Sequence, residues 1–164
     1  MNEITPVKSV GVRTPLLDGP EKVSGKAKFT AGFSAQNTLV GRILRSPVAH
    51  ARIVSVDTSA AEALAGVVAI ATGEDCADTY GVLPISMNEY AIAKERVRYR
   101  GEAVAAVAAT DVATAQHALD LIEIVYDELP AYFTAESARA EDAIDLHEER
   151  PGNIERAPEF EIGD

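Results

Sequence analysis

The chain has no tryptophan, one cysteine, four phenylalanines and five tyrosines in 164 residues. So small an aromatic content leaves little side-chain surface on which bases or sugars could stack. The single Cys76 excludes an internal disulfide and any thiolate cluster for zinc or for iron and sulfur. Its neighbours Glu74 and Asp75 disfavour a thiolate, so it reads as an inert side chain. The three histidines, His50, His117 and His147, lie far apart with no paired ligand spacing, and no metal site is expected. No run of 18 or more apolar residues occurs, so no membrane span is expected. The opening Met1-Asn2-Glu3-Ile4-Thr5-Pro6 lacks the basic start and apolar run of a signal peptide. With these absences the expected location is the cytoplasm. There is no Gly-x-Gly-x-x-Gly or Walker-type loop, so neither a dinucleotide nor a nucleoside triphosphate is an expected ligand.

What is present is alanine, valine and unevenly placed charge. Residues 1–60 hold eight Lys/Arg and four Asp/Glu, whereas residues 61–164 hold seven and twenty-two, within a net charge of −11. Phosphate contact needs clustered cations, so nucleic acid is not an expected partner. A basic front and an acidic end are suited to contacts with another surface, although solvation alone accounts for either.

The pattern along the chain is that of one mixed α/β domain. Residues 1–20, broken by Pro6, Pro15 and Pro20 with a turn signal at Asp18-Gly19, read as an extended arm. Residues 39–44 and 50–57 read as strands; the alternation of the second slips near Val54, which permits a bulge. Ser59-Ala60-Ala61-Glu62 has capping-box spacing and opens a short helix that Gly66 stops. Residues 67–71 read as a buried strand, and 78–93 as a long connection. Arg96-Val97-Arg98-Tyr99-Arg100 alternates strictly until Gly101, where a positive φ or a close approach is expected. Residues 103–108 are apolar on both faces, as in a central strand. Asp111 is placed to cap a helix with a stripe of Val112, Ala115, Leu119 and Ile122, and residues 123–127 return as a strand. The order is β-β-α-β twice over. Residues 21–131 therefore form the domain. Residues 132–164, with ten acids and three bases, read as an acidic linker carrying one helical stretch near 136–143.

Few residues suggest chemistry. Ser46, His50 and Asp57 supply the types of a hydrolytic triad, but Ser46 precedes a proline and no nucleophile elbow surrounds it, which favours structural roles. The sharpest local feature is basic. Lys94, Arg96, Arg98 and Arg100 occupy alternate positions, so one strand face would carry four cations. They are candidates for an anion contact, either a phosphate-bearing substrate or an acidic neighbouring domain. The plainer account is a solvated face paired with acids such as Glu95 or Glu102. No catalytic, cofactor-binding or metal-binding residue is assigned.

Four motifs stand in order: Arg13-x4-Asp18-Gly19-x2-Lys22-Val23-x-Gly25-x-Ala27-x-Phe29; Arg45-Ser46-Pro47-x2-His50-Ala51-Arg52-Ile53; Val97-Arg98-Tyr99-Arg100-Gly101-Glu102; and Ile122-Glu123-x2-Tyr126-x2-Leu129-Pro130-Ala131. Together they resemble the large subunits of the xanthine dehydrogenase and aldehyde oxidase family. One position departs: Gly32 stands where that family usually has an Asp before the residue matching Phe33. Within the family, Thr79-Tyr80-Gly81-Val82-Leu83-Pro84-Ile85 and Asn88-Glu89-Tyr90 look most like 4-hydroxybenzoyl-CoA reductases. The resemblance implies an α/β-hammerhead fold without a cofactor of its own. Molybdopterin, iron–sulfur clusters and FAD would belong to the full assembly, on molybdopterin-binding domains and on iron–sulfur and flavin subunits. Residues 159–164 resemble the family's entry into the first cofactor domain, which implies a fragment or a split subunit. Two functions follow as expectations: an assembly domain of a molybdenum-dependent oxidoreductase, or a stand-alone domain binding an anion or an acyl-CoA.

Overall fold

In the computed structural model the described residues are 11, 13–33, 35–82 and 87–163. Lys8, Val10 and Val12 of the expected arm, and Leu83-Pro84-Ile85 of the expected connection, lie outside them. The chain divides into two compact units, Met1–Thr38 and Leu39–Asp164.

In the first unit the Asp18-Gly19 turn signal is the start of a short helix, α1 (Gly19–Val23). Pro20 suits its first turn, where a fixed φ is helical and the missing N–H has no partner to lose. Asp18 and Lys22 pair one turn apart. A single 3-10 turn follows at Thr30–Gly32. No residue of α1 is buried, and Leu16, Leu17, Val23, Phe29 and Phe33 are all exposed.

The second unit contains β1 (Val40–Arg45), β2 (Ala51–Asp57), α2 (Ser59–Glu62), β3 (Val67–Thr72), β4 (Thr79–Tyr80), β5 (Glu89–Tyr90), β6 (Arg96–Val97), β7 (Ala103–Ala109), α3 (Val112–Leu121), β8 (Glu123–Glu128) and α4 (Ala135–Ala138). Two three-stranded sheets result, ordered β1-β7-β3 and β6-β2-β8, with a β4-β5 ribbon in the connection. Among the described residues every pairing is antiparallel. The helical crossovers make no parallel pair because each changes sheet: α2 links β2 to β3, and α3 links β7 to β8.

The doubly apolar β7 is the central strand of its sheet, as its composition requires. On one face Ala105, Val107 and Ala109 pack with Ala115, Ala118, Leu119 and Ile122 of α3 and its C-cap, together with Ala61. The expected stripe is thus shifted: Val112 is exposed, while Ala118 joins Ala115 and Leu119 inside. Small alanines at 115 and 118, one turn apart, let the helix lie close to the sheet, with Leu119 beside them. A second cluster, Ala51, Ala93, Val97 and Val104, fills the other sheet, and Leu44 and Ile124 pack against both.

Local signals fare unevenly. Asp111 caps α3 as expected, accepting from the Thr114 N–H at 2.9 Å and its hydroxyl at 2.7 Å. The register between β2 and β8 shifts between Ile53 and Ser55, which places the bulge at Val54. The expected capping box does not form: the N-cap is Thr58, whose side chain makes no capping bond and donates to Glu62 at 2.6 Å, while Ser59 donates to Asp57. The five-residue basic strand shortens to Arg96–Val97. The chain turns away beyond Val97 because the Glu102 carboxylate accepts the Arg98 N–H at 2.5 Å and Gly101 adopts φ +96°. Gly101 then donates to the Ser46 carbonyl, aligning the entry to β7.

Residues 131–155 depart from a linker. Thr134 and Ser137 cap α4 reciprocally in its first turn. Asn153, in a left-handed conformation at φ +57°, accepts from the Leu146 N–H and donates to the carbonyls of Ala138 and Ile144. The acidic composition gives few apolar side chains to bury, and polar side chain to backbone bonds order the segment in their place. Residues 156–163 are exposed throughout.

Candidate functional site

The four candidate cations do not share a strand face. Lys94 precedes β6 and pairs with Glu74 at 3.1 Å. Arg96, whose side chain is 15% exposed, reaches the Asp145 carbonyl at 3.4 Å and Glu148 at 3.7 Å. Arg98 follows β6 and donates from Nε to the Leu146 carbonyl at 3.3 Å. Arg100 lies in the exposed turn before Gly101. Arg96 and Arg98 meet the C-terminal segment rather than Glu95, and Glu102 binds the Arg98 backbone rather than its guanidinium. Sequence spacing gave no sign of this contact, because positions about fifty residues apart make it.

Two adjoining cavities result, with Arg98 in the wall of both. The larger, about 420 Å³, is walled by Tyr99, Tyr132, Phe133 and Leu146, with Arg98 and Arg100 beside them. The smaller, about 320 Å³, is polar and sets Arg52, Lys94 and Arg96 against Glu95, Glu148 and Glu149. The larger cavity has fixed walls. The Tyr132 hydroxyl accepts the Ile144 N–H at 3.0 Å, and Arg150 is held by Glu155 at 2.6 Å. His147 also lines it; burial, with the neighbouring Arg98 charge, holds this imidazole below its usual range. Glu149, bonded by Asn88, is held below the usual carboxylate range, with its own backbone the largest cause.

The triad residue types are not brought together. Ser46 bonds the Val48 carbonyl at 2.9 Å, and Asp57 accepts from Ser59 at the far end of β2 from His50. A strand of that length separates them by about 20 Å. His50 is 3% exposed, and its Nδ1 meets the Pro130 carbonyl at 2.7 Å while its own carbonyl accepts from Leu129. A carbonyl only accepts, so Nδ1 donates, while the buried Nε2 has no partner among the described residues. His50 thus clamps the exit of β8 and sets where Ala131, Tyr132 and Phe133 begin the cavity wall. His117 is exposed on α3, and Cys76 is a free, partly buried thiol. Among the described residues no group of three His, Cys, Asp or Glu is arranged to hold a metal ion. No helix of the described residues is long and apolar enough to cross a membrane.

This mixed helix-and-sheet unit is a hammerhead domain. Residues 24–130 match the family described as aldehyde oxidase and xanthine dehydrogenase, a/b hammerhead domain, and the chain belongs to that family. Over 150 residues it is 39% identical to the nicotinate dehydrogenase large molybdopterin subunit of Eubacterium barkeri, covering 90% of this chain and 34% of that protein. Over 141 residues it is 36% identical to a xanthine dehydrogenase molybdenum-binding subunit of Escherichia coli, covering 80% of this chain and 19% of that protein. Among solved structures, quinoline 2-oxidoreductase from Pseudomonas putida 86 superposes with a TM-score of 0.78 at 32% identity, over 87% of this chain and 19% of that one. The chain therefore spans between about a fifth and a third of the length of these relatives.

Proposed function

We propose that the chain is an assembly domain of a molybdenum-dependent oxidoreductase of the xanthine dehydrogenase type. In this reading it works in the cytoplasm against molybdopterin-binding domains, with iron–sulfur and flavin subunits completing the enzyme. One observation carries the proposal: most of the chain, 80–90% of it, aligns with a fraction of larger polypeptides whose names include molybdopterin or molybdenum-binding. Its own residues do not fit those cofactors. There is one cysteine, no glycine-rich phosphate loop, and no metal-ligand cluster among the described residues. Cofactor binding and redox chemistry would then belong to the partner domains, and the contribution of this chain to the assembly is surface.

The first unit supplies such a surface, since Leu17, Val23, Phe29 and Phe33 are exposed beside Lys22, Lys26 and Lys28. Exposed apolar groups of this density gain stability by covering. Residues 156–163, exposed and acidic, then serve as the linker toward the cofactor domains. A 4-hydroxybenzoyl-CoA reductase assignment is a finer reading, supported by Thr79-Tyr80-Gly81-Val82 and Asn88-Glu89-Tyr90.

Co-purification from the native host tests the proposal: the chain should arrive with molybdenum and a larger polypeptide. Co-expression with that polypeptide, using the full chain and one starting at Lys28, tests the arm, and the shorter chain should bind more weakly. A full chain that binds no molybdenum-carrying polypeptide would overturn the assembly role.

A further inference from the structure

The larger cavity carries an inference of its own, independent of assembly. We propose that it is a binding site for a small aromatic acid, a planar ring bearing one carboxylate. The ring follows from the walls: Tyr99, Tyr132, Phe133 and Leu146 bound a space of about 420 Å³, within the range of small-molecule sites. Tyr99 and Phe133 are exposed, and Phe133 is 85% so, which leaves their faces available to stack.

The carboxylate follows from the cations. Arg98 is fixed through Nε by the Leu146 carbonyl, and its terminal nitrogens make no hydrogen bond among the described residues. Arg100 stands beside it in the exposed turn. A guanidinium so placed offers paired donors in the geometry a carboxylate accepts. A single negative charge suits the site, because Arg150 is already engaged by Glu155 in the same wall. The site is also prepared in advance. Tyr132 is held through its hydroxyl, and Asn153 ties Leu146 to the carbonyls of Ala138 and Ile144. Little ordering remains to be done on binding.

The test is an NMR titration of this chain with benzoate, with benzamide as the uncharged comparator and inorganic phosphate as the anion without a ring. Benzoate should saturate, shift Arg98–Gly101 and Ala131–Phe133 together, and bind about tenfold or more tightly than either comparator. His147 should titrate at higher pH in the benzoate complex, since a bound anion stabilises its protonated form. Arg100→Ala and Phe133→Ala replace exposed side chains, and an unchanged remainder of the spectrum establishes that each variant folds. Each should weaken benzoate at least about fivefold. Phosphate binding as tightly as benzoate, shifts outside the cavity, or folded variants that bind benzoate unchanged would each overturn the proposal.

Discussion

In the layer of β1, β7, β3 and α3, alanines and valines lie in regular elements and exclude water by close contact. Residues 131–155 are ordered differently. Asn153, Tyr132, Thr134 and Ser137 hold short turns together through bonds to backbone groups, and the largest apolar side chain there, Phe133, faces solvent. The first region is robust to polarity changes at its surface and intolerant of volume changes within. The second tolerates changes of volume and depends on individual donors and acceptors. The cavity lies where the second region meets Arg98, Tyr99 and Arg100, which suits a surface whose side chains meet a ligand.

The contrast is tested most severely at Gly73, just beyond β3. A Cβ there would stand 2.4 Å from Lys94 Cα and 2.5 Å from the Ala93 carbonyl oxygen, so backbone must move. Gly73→Ala should cost about 3 kcal/mol or more, read as a fall in the denaturation midpoint. Leu119→Ala, which opens a void between α3 and the sheet, should cost about 2–4 kcal/mol by the same measurement.

Asn153→Ala probes the other region. It removes an acceptor from Leu146 N–H and two donations, and puts alanine at φ +57°, for a local cost of about 1–3 kcal/mol. Hydrogen exchange should accelerate across residues 138–153 while β7 and α3 keep their protection. Equal acceleration in β7 would show that the two regions unfold as one. Gly101→Ala is milder, about 1 kcal/mol, because φ is +96° but nothing lies within 4 Å of the added methyl.

The smallest effect is acid dependence. His147 has a folded pKa below its ordinary value of 6.5, so the unfolded chain binds the proton first. Stability therefore falls as pH drops below about 6.5, and this loss is complete below the folded value. Asp57, Asp75 and Asp111 are held below the usual carboxylate value by Ser59, Thr72 and Thr114 respectively. Their contributions persist above that value and are lost only as pH falls through the folded pKa values. Exchange at pH 5.5 should accordingly loosen the 146–155 segment before α3, and His147→Gln should abolish that first stage.

Much of the fold was legible because its signals are local. The apolar runs at 39–44 and 67–71, the doubly apolar 103–108 stretch and the Asp111 cap each act through residues close in sequence, where backbone geometry alone fixes what a side chain can reach. Four ordered motifs likewise sufficed for the family, which the match over residues 24–130 shows. The partition into two sheets, and the cavity, were not legible. Alternation says which way a side chain points but not which strand lies beside it, and Arg96 and Arg98 find partners at Asp145, Leu146 and Glu148 only after the chain has closed a loop of about fifty residues. Sequence determined the elements and their order. Tertiary structure decided which distant polar groups became neighbours, because those contacts depend on how the whole chain packs and not on the spacing of any segment.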